Sequence, residues 1–293
     1  MRYLKKLMVI LLFSKLYSAF NYFPIPSRFL FAGIPVDLRN DAGSIFSNPA
    51  GLDSLVTKQI ETTYSLAYPE MDEDISGYTV LSGMSLKLGL GVGVGFSYLD
   101  VDRIYKESEI LIGAGIKGDR IHLPVSVGFN LKFLKNKYII GKREEGDIVF
   151  SKGKLMKTVS IDLGFIFRKE KFLVSLSLKD INRPDVGIYE SVRKNCSIDF
   201  DISYRVFPVY EGDISFGYLY EEGNSRFSGG YSQYLYSNLV RGYIGTNLDA
   251  VGLAISVVLP YPKFSFTFEY GYYFPIYLKE TLGAHSISLK CEF

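Results

Sequence analysis

Apolar and polar positions alternate along most of this chain with a period of two. From residue 264 onward Phe264, Phe266, Phe268, Tyr270, Tyr272 and Phe274 fall on one side of an extended segment, and Ser265, Thr267, Glu269, Gly271 and Tyr273 on the other. Successive side chains of a strand point to opposite faces of its sheet, so this spacing predicts a strand with one greasy and one polar face. The division recurs where Val159, Ile161, Leu163, Phe165 and Phe167 oppose Ser160, Asp162, Gly164 and Arg168. It recurs again where Cys196, Ile198, Phe200, Ile202, Tyr204 and Val206 oppose Ser197, Asp199, Asp201, Ser203 and Arg205.

Followed along the chain, the pattern gives about fourteen strands, beginning near Gln59, Ser76, Gly89, Ser108, Ile121, Lys157, Lys171, Asn195, Glu211, Ser225, Asn238, Leu248, Pro262 and Leu282. Alternation is weakest over 77–87 and 225–245. Polar, charged connections over 69–75, 100–107, 136–156 and 180–194 follow odd strands, and tight ones at 117–120, 168–170, 236–237 and 260–261 follow even strands. A barrel entered from the periplasm has long external loops and short inner turns in that order, and an even strand count. The expected fold is therefore all-β, a transmembrane antiparallel β-barrel over residues 57–293. A soluble secreted β-sandwich alternates in the same way and is the competing architecture.

Three features favour the barrel. Gly89, Gly91, Gly93 and Gly95 stand opposite Leu90, Val92, Val94 and Phe96, which suits a lumen that needs space. Tyrosines gather near strand ends, at Tyr64, Tyr68, Tyr98, Tyr218, Tyr220, Tyr270, Tyr272 and Tyr273, where an aromatic girdle would sit. Ile287, Leu289, Cys291 and Phe293 end the chain on an alternating strand with a terminal aromatic, which resembles the assembly signal of outer-membrane barrels. That resemblance makes lipid of the outer membrane and the barrel-assembly machinery expected partners.

The amino terminus carries Arg2, Lys5 and Lys6, then an apolar run over 7–13, then small residues at Ser14, Ser18 and Ala19. Charge, grease and small residues in that order read as a secretory signal peptide over residues 1–19, and the run is far short of the roughly 20 residues a spanning helix needs. Export through the inner membrane to the bacterial outer membrane is the expected route.

Composition excludes other classes. The 33 basic and 31 acidic residues are interspersed, with no concentrated basic face for nucleic acid. Cys196 and Cys291 are too few for a disulfide framework. His122 and His285 are the two histidines, and Ser286, next to His285, would point to the opposite face of a strand, so no nucleophile and base pair results. Metal-ligand spacing is lacking and the glycine series has the wrong context for a phosphate loop. No enzyme, catalytic residue, metal or cofactor is expected. Inward charges on the strands comprise Glu61, Asp162, Arg168, Lys171, Lys179, Asp199, Asp201, Arg205, Asp213 and Glu269. A wet lumen explains them, with contacts to a lumenal segment as the sharper alternative.

Residues 33–52 lack strand character. Asp41 is placed to cap a short helical turn through Phe46, Asn48-Pro49 ends it, and Gly51 permits the exit toward the first strand. The run Asp41-Ala42-Gly43-Ser44-Ile45-Phe46-Ser47-Asn48-Pro49-Ala50-Gly51-Leu52 resembles the amino-terminal signature of the long-chain fatty-acid transporter (FadL-like) superfamily, particularly its PorV/PorQ-type branch. The resemblance implies a fourteen-stranded barrel with a hatch in its lumen, here about residues 20–56, containing Asp41, Asn48, Pro49, Ala50 and Gly51. It also implies passive uptake of hydrophobic small molecules or, in the PorV branch, assistance to protein secretion or surface assembly.

Overall fold

The computed structural model describes residues 41–69, 75–102, 104–139, 153–188, 190–207, 212–276 and 282–293. The expected signal peptide over 1–19 and the first part of the expected hatch, 20–40, lie outside these residues.

Fourteen antiparallel strands close into one barrel, each bonded to its neighbours in sequence and the last to the first. They are β1 (Gln59–Ala67), β2 (Ile75–Ser85), β3 (Leu90–Val101), β4 (Tyr105–Ile116), β5 (Val125–Tyr138), β6 (Leu155–Lys169), β7 (Phe172–Lys179), β8 (Ser197–Phe207), β9 (Gly212–Glu221), β10 (Asn224–Tyr236), β11 (Val240–Thr246), β12 (Ala250–Pro260), β13 (Ser265–Pro275) and β14 (Ala284–Glu292). Closure runs from Gln59 opposite Glu292 to Ala67 opposite Ala284. Lys58 and Phe293 extend it by exchanging both backbone hydrogen bonds at 3.0 Å.

The alternation points grease outward. On β1 the inward Gln59, Glu61, Thr63 and Ser65 are buried, whereas Ile60 and Tyr64 are exposed. Phe129, Phe133, Ile198, Phe200, Ile202, Ile255, Phe268 and Ile287 are likewise exposed on the outer wall. A water-soluble sandwich would bury these rows and expose the serines and carboxylates; the reverse burial with a closed sheet is that of a transmembrane barrel. Tyr64, Tyr78, Tyr220 and Tyr270 are exposed, and Tyr98 stacks on Tyr78 at 5.0 Å between centroids. Tyr68 and Tyr273 leave the expected girdle, because they pack instead in an apolar cluster on the inner wall.

The barrel termini share one end with the even-numbered turns; the odd connections share the other, here termed the loop end. Its longest connections are 139–154 and 180–196, but β3 runs to Val101 and β4 starts at Tyr105, so most of the expected open loop over 100–107 is strand. Extra ladder pairs such as Asp100 with Lys106 satisfy backbone groups that a loop would leave to water. The opposite end has one long turn, 117–124, where a 3-10 turn over Gly118–Ile121 replaces the expected tight hairpin. Gly89 belongs to the β2–β3 turn, where it and Leu88 take φ +70 and +68, and not to the glycine face of β3.

Candidate functional site

Residues 41–55 lie inside the barrel. The Asp41 carboxylate accepts the Gly43 N–H at 2.7 Å and its carbonyl accepts the Ser44 hydroxyl, which sets up α1 (Ser44–Ser47). Asn48 leaves helical space at φ −150, as a residue before proline prefers. Its side-chain oxygen then accepts the Ala50 N–H at 3.0 Å and caps a 3-10 turn, Pro49–Ser54. Gly51 sits within that turn, so the exit to β1 runs through Leu55 to Lys58 rather than from Gly51.

The barrel wall is cut away to receive this segment. A Cβ on Gly91 would stand 1.7 Å from the Leu52 carbonyl oxygen, on Gly115 2.6 Å from that of Pro49, on Gly128 2.1 Å from the Ala50 nitrogen, and on Gly164 2.0 Å from Asn48 Oδ1. The lumenal faces of β3 to β6 thus carry hydrogen where other strands carry side chains, and the backbone of the segment lies directly on them. Apolar contacts complete the fit: Ala42, Ile45, Leu52 and Leu55 pack with Leu81 and Leu111, with Phe46 against them, and Ala50 packs with Ile166 and Leu173.

Polar contacts fix its register. The Asn48 amide donates to Ser175 Oγ at 2.8 Å and to the carbonyls of Leu176 at 3.1 Å and Phe165 at 3.2 Å, residues that face each other across the β6–β7 ladder. Asn130 donates to the Ile45 carbonyl at 2.7 Å, and the Ala42 N–H donates to Gln59 Oε1 at 2.7 Å. Asp53 accepts from Ser126 at 2.5 Å and Arg168 at 3.0 Å, and Lys290 stands 3.8 Å from Asp41.

A second cluster stands above the segment toward the loop end. Lys132 Nζ bridges Asp162 at 2.7 Å and Asp180 at 2.6 Å, and Lys194 meets Asp180 at 2.8 Å, all four side chains at most 5% exposed. Both ends of the 180–196 connection are thereby drawn into the barrel. Burial pushes the Asp180 carboxyl up, but the Lys194 and Lys132 ammonium groups override it and hold the carboxyl well below the usual carboxylate range. Just outside, the Asn182 amide accepts the Ile161 N–H at 3.1 Å and donates to the Val159 carbonyl at 2.8 Å, occupying the edge of β6 where β7 has ended.

The remaining inward charges fall into separate groups. Lys179 lies 3.8 Å from Asp199, with Asp201 one inward position further along β8. Asp213 lies between Arg241 at 2.8 Å and Arg205 at 3.5 Å. Glu61 and Glu269 are buried on β1 and β13. Lys171, expected on this face, is instead exposed in the β6–β7 turn. Asn48, Pro49 and Ala50 lie on the glycine wall with Gly51 buried beside them, whereas Asp41 stands near Lys290 of β14 and Phe293 is exposed at the barrel seam. Lys132 and Asn130 escaped the sequence reading although their alternation with Phe129, Leu131 and Phe133 placed them inward. Asp180 and Lys194 carried no periodic signal at all.

Near the loop end the inner wall turns apolar. Ala67, Tyr68, Ile75 and Ala284 are buried together, with Leu99, Val101 and Tyr273 packed on them, spanning β1 to β3 and β13 to β14.

The molecule is therefore a transmembrane barrel whose lumen is occupied in part by the chain's own segment preceding the first strand. Solved structures of that architecture superpose on it over nearly their whole length. The CymD monoaromatic hydrocarbon channel does so with a TM-score of 0.60 at 13% identity, covering 94% of this chain and 98% of that one. A FadL homologue from Pseudomonas aeruginosa gives 0.56 at 9% identity, covering 92% and 98%. The toluene transporter TbuX of Ralstonia pickettii gives 0.58 at 8% identity, covering 94% and 98%. At such identities the likeness is one of fold. No protein-family model matches the sequence, and no curated protein does.

Proposed function

We propose that this chain is a bacterial outer-membrane channel for passive uptake of small hydrophobic molecules, exported by a signal peptide over 1–19 and gated by residues 20–56 as a hatch. The observation that carries this reading is the apolar cluster of Ala67, Tyr68, Ile75, Leu99, Val101, Tyr273 and Ala284 on the inner wall near the loop end. Apolar side chains on a lumenal wall whose other positions are mostly polar give a greasy solute a place to leave water. The similar barrels, a monoaromatic hydrocarbon channel and a toluene transporter, support the same class of cargo. Uptake down a gradient needs no cofactor and no catalytic residue, and the terminal Phe293 serves the assembly machinery.

The test is direct. Laurate or toluene should raise the unfolding temperature of the detergent-folded barrel and cross proteoliposomes that contain it. Leu99→Asp should abolish both effects while leaving a folded, heat-modifiable barrel. Absence of any response to either ligand in the native protein would reject the uptake reading.

A second reading, a PorV/PorQ-type accessory to secretion or surface assembly, draws on the run from Asp41 to Leu52. It is favoured by the ionic contacts around Lys132, Asp162 and Asp180, which leave that stretch of lumen polar. Recovery of exported cargo with the purified barrel, and no ligand response, would support it.

A further inference from the structure

At the loop end of β5 and β6 the outer wall carries a cationic patch. β5 has 14 residues and β6 has 15, whereas a tilted strand crosses a bilayer with about 9–11. The excess lies at the loop end. There the outward row of β5 passes from Phe129, Leu131 and Phe133 to Lys135 and Lys137, and that of β6 from Ile161 and Val159 to Lys157. Phe133 pairs with Val159, both exposed on the apolar wall, and the next outward pair is Lys135 with Lys157.

Like charges directly opposite each other on an antiparallel pair are destabilising unless something neutralises them. On β4 the neighbouring outward lysine, Lys106, is neutralised by Asp100 at 2.7 Å. Lys135, Lys137 and Lys157 are exposed and have no carboxylate partner among the described residues. Among the described strands, β4 to β6 alone present lysine or arginine outward at the loop end. Two residues advance a strand by about 7 Å, so these ammonium groups stand just past the apolar band, at headgroup depth, where a lysine stem lies along the wall and its charge reaches out.

We propose that Lys135, Lys137 and Lys157 bind phosphate groups of anionic lipid in the leaflet at the loop end. The site depends on the barrel crossing a membrane and not on what its lumen carries, so failure of the uptake assay leaves it standing. The patch continues the lipid-facing surface without a break, which favours lipid over a protein segment or a second copy of the chain.

Native mass spectrometry of the full-length barrel taken from mixed phosphatidylglycerol and phosphatidylcholine micelles tests it. The native protein should retain the anionic lipid in preference, more strongly at low salt. A juxtamembrane lysine contributes about fivefold, so Lys135→Ser, Lys137→Ser and Lys157→Ser together should lower that preference at least roughly tenfold. Lys171→Ser at the opposite end should leave it unchanged. A heat-modifiable triple variant with undiminished preference would overturn the proposal, as would displacement of the lipid by inorganic phosphate alone. So would loss of a dimer with lipid retention unaltered, which would put a protein surface there instead. Should the triple variant fail to refold, Lys157→Ser alone should still lower the preference several-fold, and Lys157→Arg should keep it; equal retention by the Ser variant and the native protein would count against the site.

Discussion

Asn48 spends one carboxamide on two tasks: its oxygen caps the turn that follows, and its nitrogen holds paired strands β6 and β7 through their carbonyls. Asn48→Asp keeps the size and the cap but turns a donor toward two carbonyl oxygens into an acceptor. Residues 41–55 should then come away from the wall, seen as faster amide exchange in that segment with the barrel still heat-modifiable. Gly91→Ala tests the other side of the contact, because its methyl would stand 1.7 Å from the Leu52 carbonyl oxygen. Overpacking of this kind costs about 1–3 kcal/mol, to be read as a lower unfolding temperature. Lys132→Ala removes the cation between two buried aspartates, and breaking such a pair costs about 3–5 kcal/mol, again read by thermal or denaturant unfolding. At this scale the sequence was partly legible. The cap at Asp41 and the break at Asn48-Pro49 follow from local backbone rules, but the strand carbonyls that Asn48 meets are more than a hundred residues away, and no local pattern announces them.

The strands were legible to within a few residues, even over 77–87 and 225–245 where alternation is weak. Tyr78, Val80 and Met84 keep the outward period in the first stretch, whereas in the second Arg241 and Tyr243 face the lumen and Gly229 and Gly242 face out, which blurs it. Connections were harder, because hairpin length depends on how far two strands continue to pair above the membrane, and alternation says nothing of that. The 180–196 connection shows the difficulty: it reads as a polar external loop, yet Asp180 and Lys194 are anchored inside. Its pH response follows from the lowered Asp180. A carboxyl held below its unfolded value of about 4 contributes stability that is complete above that value. The contribution is lost progressively as the pH falls below that value toward the folded one. Hydrogen exchange across 180–196 should therefore stay slow from neutral pH to about 5 and quicken below about 4. Asp180→Asn should quicken it at neutral pH and remove the acid dependence.

For the whole molecule, the distribution of grease and charge decides the architecture. An outward lysine at mid-membrane would cost about 2–4 kcal/mol, and the charges near mid-strand accordingly face the lumen. Not every lumenal charge need hold the barrel together: Asp199 keeps some solvent access beside Lys179. Asp199→Ala with Asp201→Ala should leave a folded barrel in detergent, checked by its altered migration before and after boiling; wholesale loss of folding would assign these carboxylates to a structural network.

Because β14 completes the ring against β1, the cylinder does not exist until the last nine or so residues are in place. The stretch that rests on β3 to β6 precedes them all in the chain. It therefore has an open sheet to settle on before any wall surrounds it. Seating before closure is the order this arrangement predicts: a barrel closed without residues 41–55 should fail to admit them when they are supplied afterwards as a peptide, with no plug pushed through a finished mouth.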